Sequence, residues 1–252
     1  MPAHARVEQR RDEQLLRVLP TGEFAETIRV PVHFHSIERN ETEEGGHLTD
    51  EQIHEQIAVM NADFASTGFA FDIKSITRTS SAVFFAEVGD GTPQEALMKQ
   101  QLRRGTASEL NLYTVGFESN AGLLGFSSFP QDYHRNPIRD GVVVRYNSLP
   151  AHPPNPDRMG RTATHETGHW LGLYHTFQGG CSDTAGDFVV DTAAEATPNY
   201  ACPANRDTCP TLEGLDPVDN FMDYSSDSCM TTFTPGQAER MRQFWSAFRQ
   251  NQ

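Results

Sequence analysis

The chain of 252 residues is poor in basic side chains: 20 Lys and Arg stand against 34 Asp and Glu, and the formal net charge is −14. Binding to phosphates needs clustered Lys and Arg, so this composition argues against a nucleic-acid partner. The sequence also lacks the run of about 18 to 20 apolar residues that a membrane-spanning helix requires. With 37% hydrophobic residues, the chain can build one large domain or two subdomains that share a cleft.

Cysteine is absent from the first part of the chain, and all four cysteines fall between Cys181 and Cys229. The residues around them are rich in Gly, Pro, Asp and Thr, so an even number of cysteines there predicts two disulfides. Free core thiols or a cysteine zinc site are the alternatives, although no pair has the C-x-x-C spacing of a zinc knuckle. Disulfides indicate an oxidising compartment. We therefore expect a secreted protein whose leader is absent from this sequence, because the charged first 20 residues are no signal peptide.

Hydrophobic periodicity predicts alternating strands and helices up to about residue 150. The expected strands, including an extended segment at a sheet edge, are 27–35, 69–76, 109–115, 123–129 and 140–146. Helices are expected after Thr49, which forms a capping-box pattern with Gln52, and around 93–103. Alternation of this kind implies an α+β (mixed α/β) fold with a mostly parallel sheet. Two further helices are expected at 163–171 and 235–248.

The segment HETGHWLGLYH, residues 165–175, has the spacing of a zinc site. His165 and His169 are four residues apart, so on a helix both imidazoles project from one face and can bind one ion at about 2.0 to 2.1 Å. Gly172 supplies the positive φ that ends a helix and lets His175 reach the same ion. Three protein ligands leave a position open for water, which is typical of a catalytic zinc site rather than a structural one.

Glu166 follows the first of these histidines directly. A carboxylate at that position can accept a hydrogen bond from zinc-bound water without binding the metal, which is the role of a general base. A bare H-E-x-x-H pattern also occurs on ordinary solvated helices. The extended pattern H-E-x-x-H-x-x-G-x-x-H fixes five residue types and therefore predicts a zinc hydrolase.

The extended motif resembles that of the metzincin clan of zinc endopeptidases. The segments HETGHWLGLYHTFQGGC and DNFMDYSSDSCMTTFTPGQAERMR are similar to the pappalysin family, particularly its small secreted members, and the resemblance covers about residues 140–245. We expect a twisted five-stranded sheet and helices above the active-site cleft, and an irregular, disulfide-clamped part below it. The expected divisions are an N-terminal tail or pro-segment remnant (1–26), an upper catalytic subdomain (27–172) and a lower catalytic subdomain with the Met-turn (173–252).

The resemblance also implies roles for single residues. Met222 is similar to the methionine of the Met-turn beneath the three histidines. Tyr224 resembles a tyrosine whose hydroxyl approaches the metal and stabilises the transition state. Of the three possible disulfide connectivities, the resemblance implies Cys181 with Cys209 and Cys202 with Cys229.

An acidic series with a spacing of four lies between the cysteines. Oxygen ligands that converge from such a series suit Ca²⁺, and similar proteins bind calcium in this region. The alternative is ordinary solvated turn chemistry in an acidic protein. The residues of this tentative calcium region are Asp183, Asp187, Asp191 and Glu195.

The loop after the Met-turn bears on specificity. Relatives in the family prefer Arg or Lys just after the scissile bond, and use an acidic residue near the end of this loop. Here the loop reads SSDSC, residues 225–229, so Asp227 is the candidate substrate-binding acid, while Ser228 stands directly before Cys229. The alternative is a solvated turn residue beside a pocket for apolar side chains.

The sequence as a whole predicts a secreted zinc-dependent endopeptidase that hydrolyses peptides or proteins. Zn²⁺ is the expected cofactor, together with Ca²⁺, and no nucleic acid or membrane is expected as a partner. One rival is a catalytically silent binding protein with the same scaffold, but such a protein has no need of Glu166. The other rival is a zinc hydrolase that acts on something other than peptides.

Overall fold

The structure is a computed structural model in which residues 26–151, 155, 157–182, 186–250 and 252 are described. Apart from Glu26, the N-terminal tail expected over 1–26 lies outside these residues. No helix of the described part has the length and apolar character needed to cross a bilayer.

Five strands form one mixed sheet with the order β2-β1-β3-β5-β4. All neighbouring strands are parallel except β4, which is antiparallel to β5 at the sheet edge. The strands are β1 (Ile28–Glu38), β2 (Phe69–Ser80), β3 (Leu110–Val115), β4 (Gly125–Ser127) and β5 (Val142–Arg145). The predicted mostly parallel five-stranded sheet is confirmed, and so is the extended edge segment within 123–129.

Among the described residues, five α-helices accompany the sheet, and all but one are predicted by the sequence. They are α1 (Asp50–Asp63), α2 (Ala82–Glu87), α3 (Pro93–Leu102), α4 (Arg161–Trp170) and α5 (Pro235–Phe248). Capping boxes begin α1 at Thr49 and α5 at Thr234, because each threonine accepts from the N–H of a Gln three residues later. Helix α2 was not predicted, since its six residues AVFFAE are too short to show helical periodicity.

Side chains on the two faces of the sheet pack into two separate cores. Leu112 of β3 and Val144 of β5 contribute to a large core that also contains residues of α1, α4 and α5. Tyr113 and Val143, the neighbouring residues on the same strands, contribute to a smaller core with residues of α2 and α3. Because successive side chains of a strand point to opposite faces, both faces of β3 and β5 are covered, as is typical of parallel strands.

The chain between α4 and α5 is irregular: within its described residues it forms no helix or strand, only one isolated bridge. Two disulfides, Cys181–Cys209 and Cys202–Cys229, join it to itself. These are the pairs implied by the resemblance. Closing loops of 28 and 27 residues stabilises the fold by roughly 3.6 kcal/mol each in the chain-entropy model.

Two buried arginines of the C-terminal segment hold the end of α4. Arg240 donates from Nε to the carbonyl oxygen of Gly172 at 2.8 Å, and Arg249 donates to that of Trp170 at 2.9 Å. Carbonyl groups at the end of a helix lack partners within the helix. These guanidinium groups satisfy them and thereby fix α4 against the C-terminal helix.

Candidate metal centre and active site

Helix α4 and the turn that follows it bring three histidines together. His165 and His169 lie on one face of α4, and Gly172 follows the helix with φ of 104°. The N–H groups of Gly172 and Leu173 donate to the carbonyls of His169 and Gly168, both at 2.9 Å, which is the Schellman pattern of a helix end. The chain therefore reverses sharply, and His175 returns to the two histidines of the helix.

The side-chain nitrogens of these histidines converge. Nε2 of His169 lies 3.1 Å from Nε2 of His165 and 3.1 Å from Nε2 of His175. Nδ1 of His165 donates to the carbonyl of Phe221, and Nδ1 of His169 to that of Leu173, each at 2.7 Å. These backbone acceptors fix the tautomer, so the Nε2 lone pairs of both helical histidines point at the shared centre.

This arrangement fits a zinc ion. Tetrahedral zinc with Zn–N bonds of about 2.0 to 2.1 Å places its nitrogen ligands about 3.3 Å apart, close to the separations observed. Burial lowers the pKa of all three imidazoles to about 3, so they are neutral and able to bind a metal. Lone pairs of neutral imidazoles that face each other at this distance repel one another, and a cation bound between them removes this repulsion. Within the described residues, this is the only cluster of three or more potential metal-binding side chains.

Met222 lies beneath the helix that carries the ligands. It is fully buried, and a Cβ atom added to Gly168 would come within 2.4 Å of its sulfur. The glycine between the two helical histidines is therefore needed for this close contact. Met222 thus packs against α4, as expected of a Met-turn residue.

Glu166 is 7% exposed and lies under the edge strand β4. Burial, with a smaller effect of Asp90, raises the pKa of its carboxyl group to about 8. A Cβ atom at Gly125 of β4 would lie 2.8 Å from Cγ and 2.9 Å from Oε1 of Glu166. The carboxyl group of Glu166 therefore occupies space that only a glycine at position 125 leaves free.

Tyr224 stands beside the histidines and faces solvent. Its ring centroid lies 4.8 Å from that of His175 and 5.6 Å from that of His165, and the residue is 40% exposed. Burial of the rest of the ring raises the pKa of the phenol, so the hydroxyl remains a hydrogen-bond donor at neutral pH.

Asp227 contacts the beginning of α4. Its Oδ2 accepts from the backbone N–H of Met159 at 2.8 Å and of Arg161 at 3.2 Å. The N-cap residue, Gly160, has no side chain for this purpose, so Asp227 supplies the cap from 67 positions further along the chain. Burial raises the pKa of this carboxyl group. Its expected role in a substrate pocket stays a prediction.

The tentative calcium ligands do not converge among the described residues. Asp187 accepts from the N–H of Val189, while Asp191 accepts from the Thr234 hydroxyl and the N–H of Gly236. Asp183 lies outside the described residues.

Glu195, the last of the series, is fully buried and accepts from the Thr176 hydroxyl and from Arg206. Arg206 also pairs with Asp216, so a guanidinium supplies the positive charge there. Calcium is therefore not supported.

Asp140, which no sequence pattern indicates, connects three elements around the site. Its carboxylate is 1% exposed and accepts from the Ser128 hydroxyl at 2.9 Å, the Trp170 indole at 3.2 Å and the Arg249 guanidinium at 3.1 Å. The end of the edge strand, the end of α4 and the C-terminal segment thus share one buried anion. No motif marks such a residue, because its partners come from distant parts of the chain.

An open three-histidine metal site beside the antiparallel edge strand of a mostly parallel sheet is the arrangement of metzincin zinc endopeptidases. Comparison with known proteins makes the assignment narrower. The chain belongs to the peptidase M43 family, whose model, described as pregnancy-associated plasma protein-A, matches residues 111–246.

Curated relatives and solved structures agree with this assignment. An extracellular metalloprotease of Verticillium alfalfae is 44% identical, over 94% of this chain and 83% of the relative. One of Podospora anserina is 42% identical, over 90% and 76%. Mature mirolysin of Tannerella forsythia, solved in complex with a cleaved peptide, is 30% identical with a TM-score of 0.72 over 87% of this chain and 92% of that one. The predicted family, fold class and enzyme class, a zinc metalloendopeptidase, are confirmed.

Proposed function

We propose that this protein is an extracellular endopeptidase that hydrolyses peptide bonds with a zinc-activated water and with Glu166 as the general base. The observation that carries the proposal is the convergence of three imidazole Nε2 atoms beside the buried Glu166. The Nε2 atom of His169 lies 3.1 Å from that of His165 and 3.1 Å from that of His175. The relatives named extracellular metalloproteases support the location.

When bound to the three histidines, zinc would lower the pKa of a coordinated water and polarise the scissile carbonyl. The positive charge of the bound ion would favour the carboxylate form of Glu166 over the neutral form that burial alone favours. As a carboxylate, Glu166 accepts the proton of the attacking water and delivers it to the departing amine. The backbone carbonyls that hold His165 and His169 keep both imidazoles in the tautomer that presents Nε2. Tyr224 donates a hydrogen bond from its hydroxyl to the carbonyl oxygen as negative charge develops there.

The substrate binds in extended form along β4. The backbone groups of Leu124 and Ser128 point towards β5. The carbonyl oxygen of Leu124 accepts from the N–H of Arg145, and the N–H of Ser128 donates to the carbonyl oxygen of Gly141. By the alternation of a strand, Gly125 and Ser127 present their N–H and C=O groups at the free edge. A peptide can add there as a further strand, which recognises any sequence through its backbone. The cleaved peptide bound to mirolysin agrees with a substrate of this class.

We also propose that the cleft divides the chain at the end of α4. The upper subdomain, 27–172, supplies β4, Glu166 and two of the histidines. The lower subdomain, 173–252, supplies His175 and Tyr224, so the metal would bind at the junction of the two.

We further propose that the enzyme prefers Arg or Lys just after the scissile bond, and that the carboxylate of Asp227 binds this basic side chain. One oxygen of this carboxylate, Oδ2, accepts from two backbone N–H groups. Its second oxygen can pair with a substrate guanidinium or ammonium, for which a partly desolvated carboxylate is well suited. The calcium ion that the resemblance implies is not part of the proposal.

Digestion of a peptide library by the wild-type enzyme and by Glu166→Gln tests this function. We expect the wild type to cleave internal peptide bonds, to stop when zinc is chelated and to recover when zinc is restored. Glu166→Gln should retain one zinc per chain and lose roughly 100- to 10,000-fold in turnover. Near-normal turnover of Glu166→Gln would refute its role as the base, and a wild type that binds peptides without cutting them would indicate the silent binding protein.

A further inference from the structure

An exposed tyrosine stands next to Tyr224 on its solvent side. Tyr200 is 72% exposed, and its ring centroid lies 6.1 Å from that of Tyr224. Tyr224 itself lies 4.8 Å from the ring of His175 and 5.0 Å from that of Phe177. An aromatic row therefore leads from a metal-binding histidine through Tyr224 to Tyr200 in solvent.

The backbone on both sides of Tyr200 is anchored. Asn199 is buried; its N–H donates to Asp223 Oδ1 at 3.1 Å, and its amide donates to Ser225 Oγ at 2.8 Å. Two residues after Tyr200, Cys202 forms the disulfide with Cys229. The Met-turn segment and this disulfide thus anchor the backbone on both sides of Tyr200, next to Tyr224.

The position of the ring relates to a particular residue of the substrate. In the proposed function, the Tyr224 hydroxyl contacts the scissile carbonyl. The Tyr200 ring centroid lies 6.1 Å from that of Tyr224, and an extended peptide advances about 3.4 Å per residue, so the Tyr200 ring can reach a side chain up to about two residues from the scissile bond. The exposed face of Tyr200 offers apolar area there, and an aromatic or large aliphatic side chain would cover it.

We propose that Tyr200 is a specificity-determining residue, which forms the wall of a subsite for a large apolar or aromatic side chain about two residues from the scissile bond. This inference rests on the proposed endopeptidase function. Aromatic contacts of this kind change affinity by a modest factor. The subsite thus selects among peptides and is not required for catalysis.

Cleavage of a peptide series in which one position at a time is varied tests the subsite. The enzymes compared are the wild type, Tyr200→Phe, Tyr200→Ala and a control, Leu97→Ala. The control removes an exposed apolar side chain from α3, which packs on the face of the sheet away from α4. We expect wild type and Tyr200→Phe to prefer Phe, Tyr or Leu at one position about two residues from the cut. In Tyr200→Ala, kcat/KM should fall roughly three- to tenfold for those peptides and stay unchanged for peptides with Gly or Ala there.

The two levels of the argument fail differently. If the wild type cleaves no peptide, the proposed function is wrong. If the wild type cleaves and Tyr200→Ala keeps the same preference at every position, Tyr200 does not determine specificity. The inference would also be overturned if Tyr200→Ala lowered kcat/KM equally for all peptides. The same holds if Tyr200→Ala lost a preference for Arg or Lys and kept its preference for apolar residues. If Tyr200→Ala has a lower Tm than the wild type, Tyr200→Gln replaces it in the comparison of peptide preferences, because Gln keeps a long side chain without the ring.

Discussion

At the scale of single residues, the chemistry of the site depends on which atoms remain free. His165 and His169 both use Nδ1 to donate to backbone carbonyls, and this leaves Nε2 for the metal. Glu166 has its place because Gly125 has no side chain, and Met222 has its place because Gly168 has none. These four side chains are thus positioned by backbone carbonyls or by the space that a glycine leaves.

Replacing Gly125 with Ala should lower kcat while zinc binding is kept. The new Cβ atom would lie 2.8 Å from Cγ of Glu166, so the carboxylate or the edge strand must move, and a misplacement of about 1 Å costs roughly 100-fold in rate. Gly122→Ala is the matched control, because a Cβ atom there meets nothing within 4 Å. Equal kcat values for both variants and the wild type would show that Glu166 tolerates the displacement.

Replacing Tyr224 with Phe should lower kcat by about 100-fold, the lower end of the range for loss of an oxyanion donor, and change KM much less. The reason is that, in the proposed mechanism, the hydroxyl acts on charge that develops only in the transition state. Steady-state kinetics on one peptide give both constants. An unchanged kcat would mean that Tyr224 contributes only packing against His175 and Phe177.

At the scale of elements, α4 is held at both ends by residues from elsewhere in the chain. Asp227 accepts from N–H groups at its beginning. Arg240 and Arg249 donate to carbonyls at its end. The helix that carries Glu166 and two of the three clustered histidines is therefore fixed by the chain that follows it in sequence, and the orientation of the site depends on that later chain being folded.

Two substitutions of Asp227 separate capping from specificity. Asp227→Ala removes the cap and should reduce the free energy of unfolding by roughly 0.5 to 2 kcal/mol, which lowers Tm by about 2 to 4 °C per kcal/mol for a chain of this size. Asp227→Asn keeps an oxygen acceptor and should melt close to the wild type. If the carboxylate also binds substrate, Asp227→Asn should lose the preference for Arg and Lys after the cut.

Thermal melting and mapping of cleavage sites in a denatured protein digest measure both effects. A preference for Arg and Lys that survives in Asp227→Asn would restrict Asp227 to capping the helix. Enrichment of Leu or Phe after the cut in the wild type would contradict an acidic pocket formed by Asp227.

At the scale of the whole molecule, the three clustered histidines come from α4 and from the turn that follows it. Removal of zinc should lower Tm, because a ligand that binds the folded state alone stabilises it by mass action. Removal of calcium should leave Tm unchanged, because Asp187, Asp191 and Glu195 each have protein partners. Melting curves after selective chelation, and after return of each ion, measure this. A drop in Tm on calcium removal would show that ligands including Asp183 do bind a cation.

The sequence by itself determined those features that depend on short separations. The spacing of His165 and His169, the positive φ at Gly172 and the capping boxes at Thr49 and Thr234 are encoded within a few residues, because helix geometry relates positions three and four apart. The strands of the sheet were equally visible, since apolar runs bounded by turns carry their own signal. Of the α-helices and strands in the described residues, only α2 was not predicted, because its six residues are too few to show a helical period.

The tertiary structure alone decided the contacts between distant segments. Asp227 caps a helix that begins 66 residues earlier, Asp140 joins Ser128 to Arg249, and Arg206 meets the buried Glu195 that the sequence assigned to calcium. The packing of Gly125 against Glu166, 41 positions apart, is of the same kind. No local pattern predicts such pairs, because the partners of a buried charge, and the room beside a glycine, depend on how whole elements pack and not on the residues adjacent in sequence.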